Sequence, residues 1–326
     1  MARTFSIAVV SDLHYAAAEE RARCSDFTHR RQAKFAAARI AEHTFHHFIW
    51  LRDHGSHNNL LDTFLADAGQ PDLVVANGDF SCNTAQMGLS DPAAFASAEE
   101  CLAKLRARFG ENLRATIGDH ELGKTGMFTG CGSMALANWP RVTQALCIEP
   151  FWRVQFGRYV LLGIASSLVA LPLYISDSPA ADRGGWAQLS ETHLQNIRAA
   201  FAGLNPKERV ILFCHDPAAL PFLSREPAVR EKISQIEQTI VGHLHTNLVF
   251  RIGRALSGFP IISFLGKGAR KTSRTLNEAK LWKPFHVRLC PALSGIQLLK
   301  DGGWLSAELD EDAKTPAQFK FHPIKW

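Results

Sequence analysis

The sequence predicts a mixed α/β fold. In its early part, apolar runs of strand length alternate with stretches of helical spacing, while its late part runs strand after strand. No linker rich in Pro, Gly or Ser interrupts the 326 residues, so one domain over 1–326 is expected. Residues 247–326 are expected to form a β-hairpin extension that completes a second sheet.

Taken in order, Phe5–Ser11 is an apolar, β-branched run that stops at Asp12-Leu13-His14, which reads as a buried strand. Residues 33–51 place Phe35, Ala38, Phe45, Phe48 and Ile49 near one helical face. "PDLVVANGD" is a second strand, opened by Pro71 and stopped by Gly78-Asp79. Asp91-Pro92 pairs an N-cap with a proline at the first helical position, predicting a helix to about Phe109. "NLRATIGDH" is a third strand with a polar end. Residues 151–166 read as a hairpin around Phe156–Arg158. Trp186, Leu189, His193, Ile197 and Phe201 then recur at helical spacing. "RVILFCHD" and "QTIVGHLHT" are further strands ending in histidine. "GIQLLKDGGWLSAEL" reads as a hairpin with its turn at Asp301-Gly302-Gly303. The loops 16–30 and 168–185 are candidate lids. Trp139, Phe128 and Trp152 are aromatic candidates for a cleft wall, although packing is the commoner role.

Composition narrows the class. Apolar content of 46% suits a globular chain, and no repeat or low-complexity tract is present. The apolar run at 5–10 is too short for a signal segment, and no run approaches a membrane span, so a cytoplasmic location is expected. Seven scattered cysteines without a CxxC pair point to reduced thiols and away from a zinc ribbon. The net charge of +5 is unevenly spread, with nine Lys/Arg against the single acid Glu278 between Arg251 and Arg288. Such a stretch is commonly a solvated face. It also suits an anionic substrate or peripheral contact with an anionic membrane, and nucleic acid is not specifically indicated.

Each apolar strand in the set ends in metal-capable residues: Asp12 and His14, Asp79, Asp119 and His120, His215, then His243 and His245. Strand ends in an open α/β sheet face one crevice, so residues distant in sequence converge there. Carboxylate and imidazole together suit Mn, Fe or Zn, and seven donors with a central Asp fit two ions better than one. His43, His46 and His47, by contrast, share a helical face without a neighbouring acid and read as surface, with His54 and His57 following. Cys214 precedes His215 on a strand, faces the other way and reads as core.

"SDLH", "NGD", "GDHE", the histidine of "CHDP" and "GHLH" stand in the order of the calcineurin-like metallophosphoesterase pattern D-x-H, GD, GNH(E/D), H, GHxH, and the chain resembles that family over residues 9–246. The resemblance implies a four-layer α-β-β-α sandwich, two mixed sheets flanked by helices. It implies one metal held by Asp12, His14, Asp79 and His245, and a second sharing Asp79 and held by Asp119, His215 and His243. It implies a bridging hydroxide as nucleophile, with His120 protonating the leaving group or binding a phosphoryl oxygen. The expected reaction is hydrolysis of a phosphodiester or pyrophosphate in a phosphorylated small molecule or lipid-linked substrate. A monoesterase, a nuclease or an enzyme similar to the UDP-diacylglucosamine pyrophosphohydrolases stands as alternative, and a scaffold similar to the retromer subunit is the non-enzymatic one. Asn83, Arg270 and Lys271 are expected to bind substrate.

Two departures from the pattern matter. Asp119 replaces the usual Asn, adding a negative charge that should tighten metal retention and help His120 stay protonated. Many relatives carry an Asp three residues after the bridging Asp to orient the catalytic histidine. That position here is Cys82, so sequence leaves the orienter of His120 open. Glu121 is expected to brace backbone and not to touch metal.

Overall fold

The computed structural model describes residues 3–24, 40, 44, 48–51, 53–123, 133–262 and 267–325. The helix expected over 33–51 and its histidines 43, 46 and 47 fall almost wholly outside these residues, as does Phe128.

Among the described residues, ten strands form two five-stranded sheets. The first contains β1 (Thr4–Val10), β2 (Leu73–Ala76), β3 (Leu113–Ala115), β9 (Gly303–Asp310) and β10 (Lys320–Pro323) in the order β10-β9-β1-β2-β3. The second contains β4 (Phe151–Phe156), β5 (Tyr159–Ile164), β6 (Arg209–Cys214), β7 (Ile236–Val241) and β8 (Val287–Leu289) in chain order. β1, β2 and β3 run parallel, as do β5 to β8, whereas β4 and the β9–β10 pair are antiparallel to their neighbours.

Side-chain alternation fixes the layers. Ile7 and Val9 of β1, Leu73 and Val75 of β2, Leu161 of β5, and Ile211 and Phe213 of β6 meet in one buried cluster between the sheets. The alternate residues Ala8, Val10, Val74, Val160, Leu162 and Leu212 face outward to helices. Those helices are α1 (Asn58–Asp67) and α2 (Pro92–Phe109) on the first sheet and α3 (Arg183–Ala202) on the second. The result is the expected α-β-β-α sandwich. α2 begins as the sequence predicts: Pro92 opens it and the Asp91 side chain accepts the Ala94 N–H at 3.2 Å.

The C-terminal region corrects one expectation. Among the described residues, α4 (Asn247–Ala255), α5 (Lys267–Glu278) and a helical stretch at Ala279–Phe285 occupy most of this region, and β8 is the one strand there that extends the second sheet. The hairpin joins the first sheet instead. β9 pairs with β1 through Phe5↔Leu309, Ile7↔Ala307 and Val9↔Leu305, and its hairpin partner is β10. Residues 296–301, expected as the first arm, fold back into a turn: the Lys300 N–H donates to the Ile296 carbonyl at 2.8 Å and the Ile296 N–H to Asp301 Oδ1 at 3.2 Å. Those local bonds consume the backbone groups a strand would need.

Candidate metal centre

The parallel strands bring the loops after β1, β2, β3, β6 and β7 to one edge of the sandwich, and backbone bonds lace them together. Asp12 and His14 N–H groups donate to the Gly78 and Asp79 carbonyls at 3.1 and 3.0 Å. The His243 N–H reaches across from the other sheet to Asp12 Oδ1 at 3.0 Å. Glycine permits this approach: a Cβ on Gly118 would lie 2.2 Å from Asp79 Oδ1, and one on Gly242 would lie 2.0 Å from Ser11 Oγ. Asp12, His14, Asp79, His243 and His245 all adopt positive φ, between 45° and 61°. Such backbone is sparsely populated outside glycine, costs on the order of 1–3 kcal/mol per residue and concentrates at functional sites.

Two donor groups result. Asp12, His14, Asp79 and His245 form one, and Asp79, Asp119, His215 and His243 the other, with the donor atoms in each group within 4.8 Å of one another. Asp79 belongs to both. All are buried except His243, which is half-buried.

Hydrogen bonding defines what these atoms offer. His215 Nδ1 lies 2.6 Å from the Asn77 carbonyl and donates to it, which leaves Nε2 facing Asp79 Oδ2 at 3.1 Å and Asp119 Oδ1 at 3.2 Å. Two buried carboxylates converging on one ring nitrogen call for positive charge there, supplied by a proton on Nε2 or by a cation that Nε2 ligates. Asp79 Oδ2 is itself buried and receives no hydrogen bond. In the other group, His14 Nε2 and His245 Nε2 face each other at 3.2 Å, with His245 Nε2 3.3 Å from Asp12 Oδ1. The buried His245 Nδ1 has no partner. These donors therefore fit divalent cations.

Burial and the mutual repulsion of these groups create the same demand for positive charge. Burial pushes the Asp12 carboxyl up to about 6, with Asp79 adding to the effect and His215 opposing it. Burial lowers His215, but Asp79 and Asp12 outweigh it and raise the imidazole well above its ordinary value. His245 is held far below it by burial and by His14.

His120 stands beside the donors, its ring 4.6 Å from that of His14. Its N–H donates to Asp79 Oδ1 at 2.9 Å, and its Nδ1 donates to the Ser81 carbonyl at 2.9 Å. Ser81 is thus the orienter that sequence left open. Cys82, at the position of the family's Asp, donates its thiol to the His14 carbonyl at 2.8 Å. Burial would lower His120, yet Asp79, Asp119 and the Ser81 carbonyl hold it up at about 9. Glu121 braces the loops as expected: Oε2 accepts the Asp79 and Gly118 N–H groups at 3.0 and 2.8 Å, and Oε1 accepts that of Phe80 at 2.8 Å.

The profile of the calcineurin-like phosphoesterases matches residues 5–247. The chain belongs to this family. Family membership together with the two donor groups supports a hydrolase that binds divalent metal. No curated protein matches the chain. Among solved structures it is similar to a purple acid phosphatase from yellow lupin, with TM-score 0.39 and 10% identity over 75% of this chain and 38% of that one. It is also similar to the phosphopantetheinyl hydrolase of Mycobacterium tuberculosis, with TM-score 0.35 and 13% identity over 74% and 83% of the two chains. The family profile, not these likenesses, carries the assignment.

The other residues singled out from the sequence have their own surroundings. Asn83 is buried at positive φ, and its side-chain oxygen accepts the Gly88 N–H at 2.9 Å, so it holds a turn. Lys271 forms an ion pair with Asp177, while Arg270 is exposed on α5. Trp152 is core: it is buried against Phe213 and donates to the Ala115 carbonyl at 3.0 Å. Trp139 packs edge-on against Trp186, and Cys214 is buried in the core as expected. Residues 168–185 form short helices with Leu168, Leu171, Leu173 and Tyr174 buried, which is packing and not a loose lid. Sequence reasoning missed Trp50, whose ring lies 4.6 Å from that of His245, because nothing local ties it to a motif 195 residues away.

Proposed function

We propose that this phosphoesterase is a dinuclear metal-dependent enzyme that cleaves a phosphodiester or pyrophosphate bond, with His120 as general acid. Asp12, His14, Asp79 and His245 would hold one ion, and Asp79, Asp119, His215 and His243 the other. Bound there, divalent cations would stabilise charge on phosphoryl oxygens and favour hydroxide near neutral pH. The N/O donor set suits Mn, Fe or Zn.

The observation that carries the reading is the pairing of shared Asp79 with His120. The Ser81 carbonyl fixes the proton on Nδ1 and leaves Nε2, on a side chain that is 28% exposed, 3.9 Å from Asp79 Oδ2. Before any cation binds, Asp79 and Asp119 raise the imidazole to about 9, and with Nδ1 committed to Ser81 the position that would carry a transferable proton is Nε2. Hydroxide would form a new P–O bond as the P–O bond to the leaving group breaks; the leaving oxygen takes the Nε2 proton and the imidazole becomes neutral. Arg270 is the candidate to meet a second phosphate or the substituent of a diester, in a phosphorylated small molecule or a lipid-linked one. A cytoplasmic location suits the free thiols at Cys82, Cys101, Cys147, Cys214 and Cys290.

The test compares a bis-aryl phosphate with a mono-aryl phosphate in the presence of Mn²⁺, for the parent chain and His120→Ala. The expected result is faster turnover of the diester and a loss of about 10²–10⁴-fold in His120→Ala. Full activity in His120→Ala would remove it from the acid role, and preference for the monoester would overturn the substrate class.

A further inference from the structure

α4 presents an unusual face. Its core side is Phe250 and Gly253, which pack on Trp282. Helical geometry places Leu248, Ile252 and Leu256 on the opposite side. These residues, together with Phe259 and Ile261 in the segment that follows, are 37–50% exposed. Half of the exposed large apolar residues among the described ones therefore lie within fourteen positions of the chain. The turn 296–301, bonded to the N-cap of α4 through Thr246 and Asp301, adds exposed Leu298 and Leu299.

Cations flank this ridge. Arg251 lies beside Leu248 and Ile252 on α4, while the Arg254 guanidinium reaches over the Phe250 ring, 5.7 Å from its centroid; among the described residues neither pairs with a carboxylate, unlike Lys271 with Asp177 or Arg274 with Glu278. An apolar ridge on a helix whose arginines no carboxylate neutralises is complementary to a surface that is greasy inside and anionic at its boundary. No helix among the described residues is long and apolar enough to cross a membrane, so the contact is peripheral.

We infer that α4 and residues 256–262 dock the protein on an anionic lipid bilayer, with Leu248, Ile252 and Leu256 entering the interface and Arg251 and Arg254 on the headgroups. α4 begins directly after His245, so docking would set the rim of the metal centre against the lipid surface and favour phosphoesters presented there. That consequence rests on the proposed chemistry. The docking itself does not.

The test is cosedimentation of the full chain with phosphatidylcholine vesicles containing about one-third phosphatidylglycerol, against phosphatidylcholine alone. Leu248→Asn/Ile252→Asn and Arg251→Gln/Arg254→Gln are compared with the parent, with thermal melts to confirm folding. The expected result is binding to the anionic vesicles only, weakened at least about tenfold by either variant and by added salt. Turnover of the soluble aryl diester should be unchanged in both variants. Absence of vesicle binding by the parent, equal binding to neutral vesicles, or full binding by both variants would overturn the inference. So would a parent dimer in ultracentrifugation that Leu248→Asn/Ile252→Asn dissolves, because the ridge would then hold a second copy. Vesicle binding without diester turnover would sink the chemistry and leave the docking standing.

Discussion

Replacing Glu121 tests how the loops around the centre are held. Its carboxylate is fully buried and accepts three backbone N–H groups at 2.8–3.0 Å, two of them from the segment 79–80 and one from Gly118. Glu121→Ala leaves three buried amides unpaired, at about 1–3 kcal/mol each. Against this stands the cost of the charge itself. Burial and the Asp79 carboxylate push Glu121 up from 4.5 to about 7, a penalty of about 3 kcal/mol on the ionised form that either variant relieves. The net loss for Glu121→Ala is then on the order of 0–6 kcal/mol, centred on about 3 kcal/mol. Glu121→Gln keeps one acceptor oxygen, able to serve two of the amides, so the relieved charge offsets the one amide lost and stability should stay within about 1–2 kcal/mol of the parent. Urea unfolding at pH 8 measures both, and equilibrium dialysis against Mn²⁺ measures whether the displaced Asp79 loop binds metal more weakly. Glu121→Ala within about 0.5 kcal/mol of the parent, with unchanged Mn²⁺ affinity, would refute the bracing role.

Three further outcomes are expected. Burial pulls His193 from 6.5 down to about 4, where its Nε2 accepts the Ala165 N–H at 3.1 Å. The unfolded chain binds a proton in that window that the folded chain refuses, so stability should fall as pH drops from 6.5 to 4, by about 3 kcal/mol. His193→Gln, which keeps an acceptor, should flatten that slope in urea melts across pH, and an unchanged slope would exonerate the histidine. Gly118→Ala forces a Cβ against Asp79 and should cost about 1–3 kcal/mol in thermal melts and weaken Mn²⁺ binding; parent-like values would contradict the close approach. Asp119→Asn removes one negative charge from the second donor group and should release metal to a chelator faster, with a lower pKa for His120 by NMR titration; no change in either would show that the extra charge is silent.

Much of this arrangement was legible because the relevant signals are local. Short apolar runs stopped by Asp or His mark β1, β2, β3, β6 and β7, and Asp91-Pro92 marks the start of α2 to the residue. The two donor groups were legible for the same reason: their Asp and His residues stand where such runs stop. Long-range pairing left no mark. β9 adds to β1 from some 300 residues away, and the alternation in 295–305 reads equally well as a hairpin within itself. The orienter of His120 is a backbone carbonyl, a group every residue owns, so no side-chain identity could point to Ser81. Asn83 and Lys271 have the chemistry of phosphate binders, but Gly88 and Asp177 already engage them, and sequence does not reveal prior commitments.

The account rests on buried donors from both sheets holding two divalent cations around Asp79. Elemental analysis of the desalted, Mn²⁺-supplemented chain tests this most directly, alongside Asp79→Ala with its fold checked by circular dichroism. About two transition-metal ions per chain are expected, with both lost in Asp79→Ala. A folded parent chain that retains no metal, or an Asp79→Ala variant that still holds both ions, would contradict it.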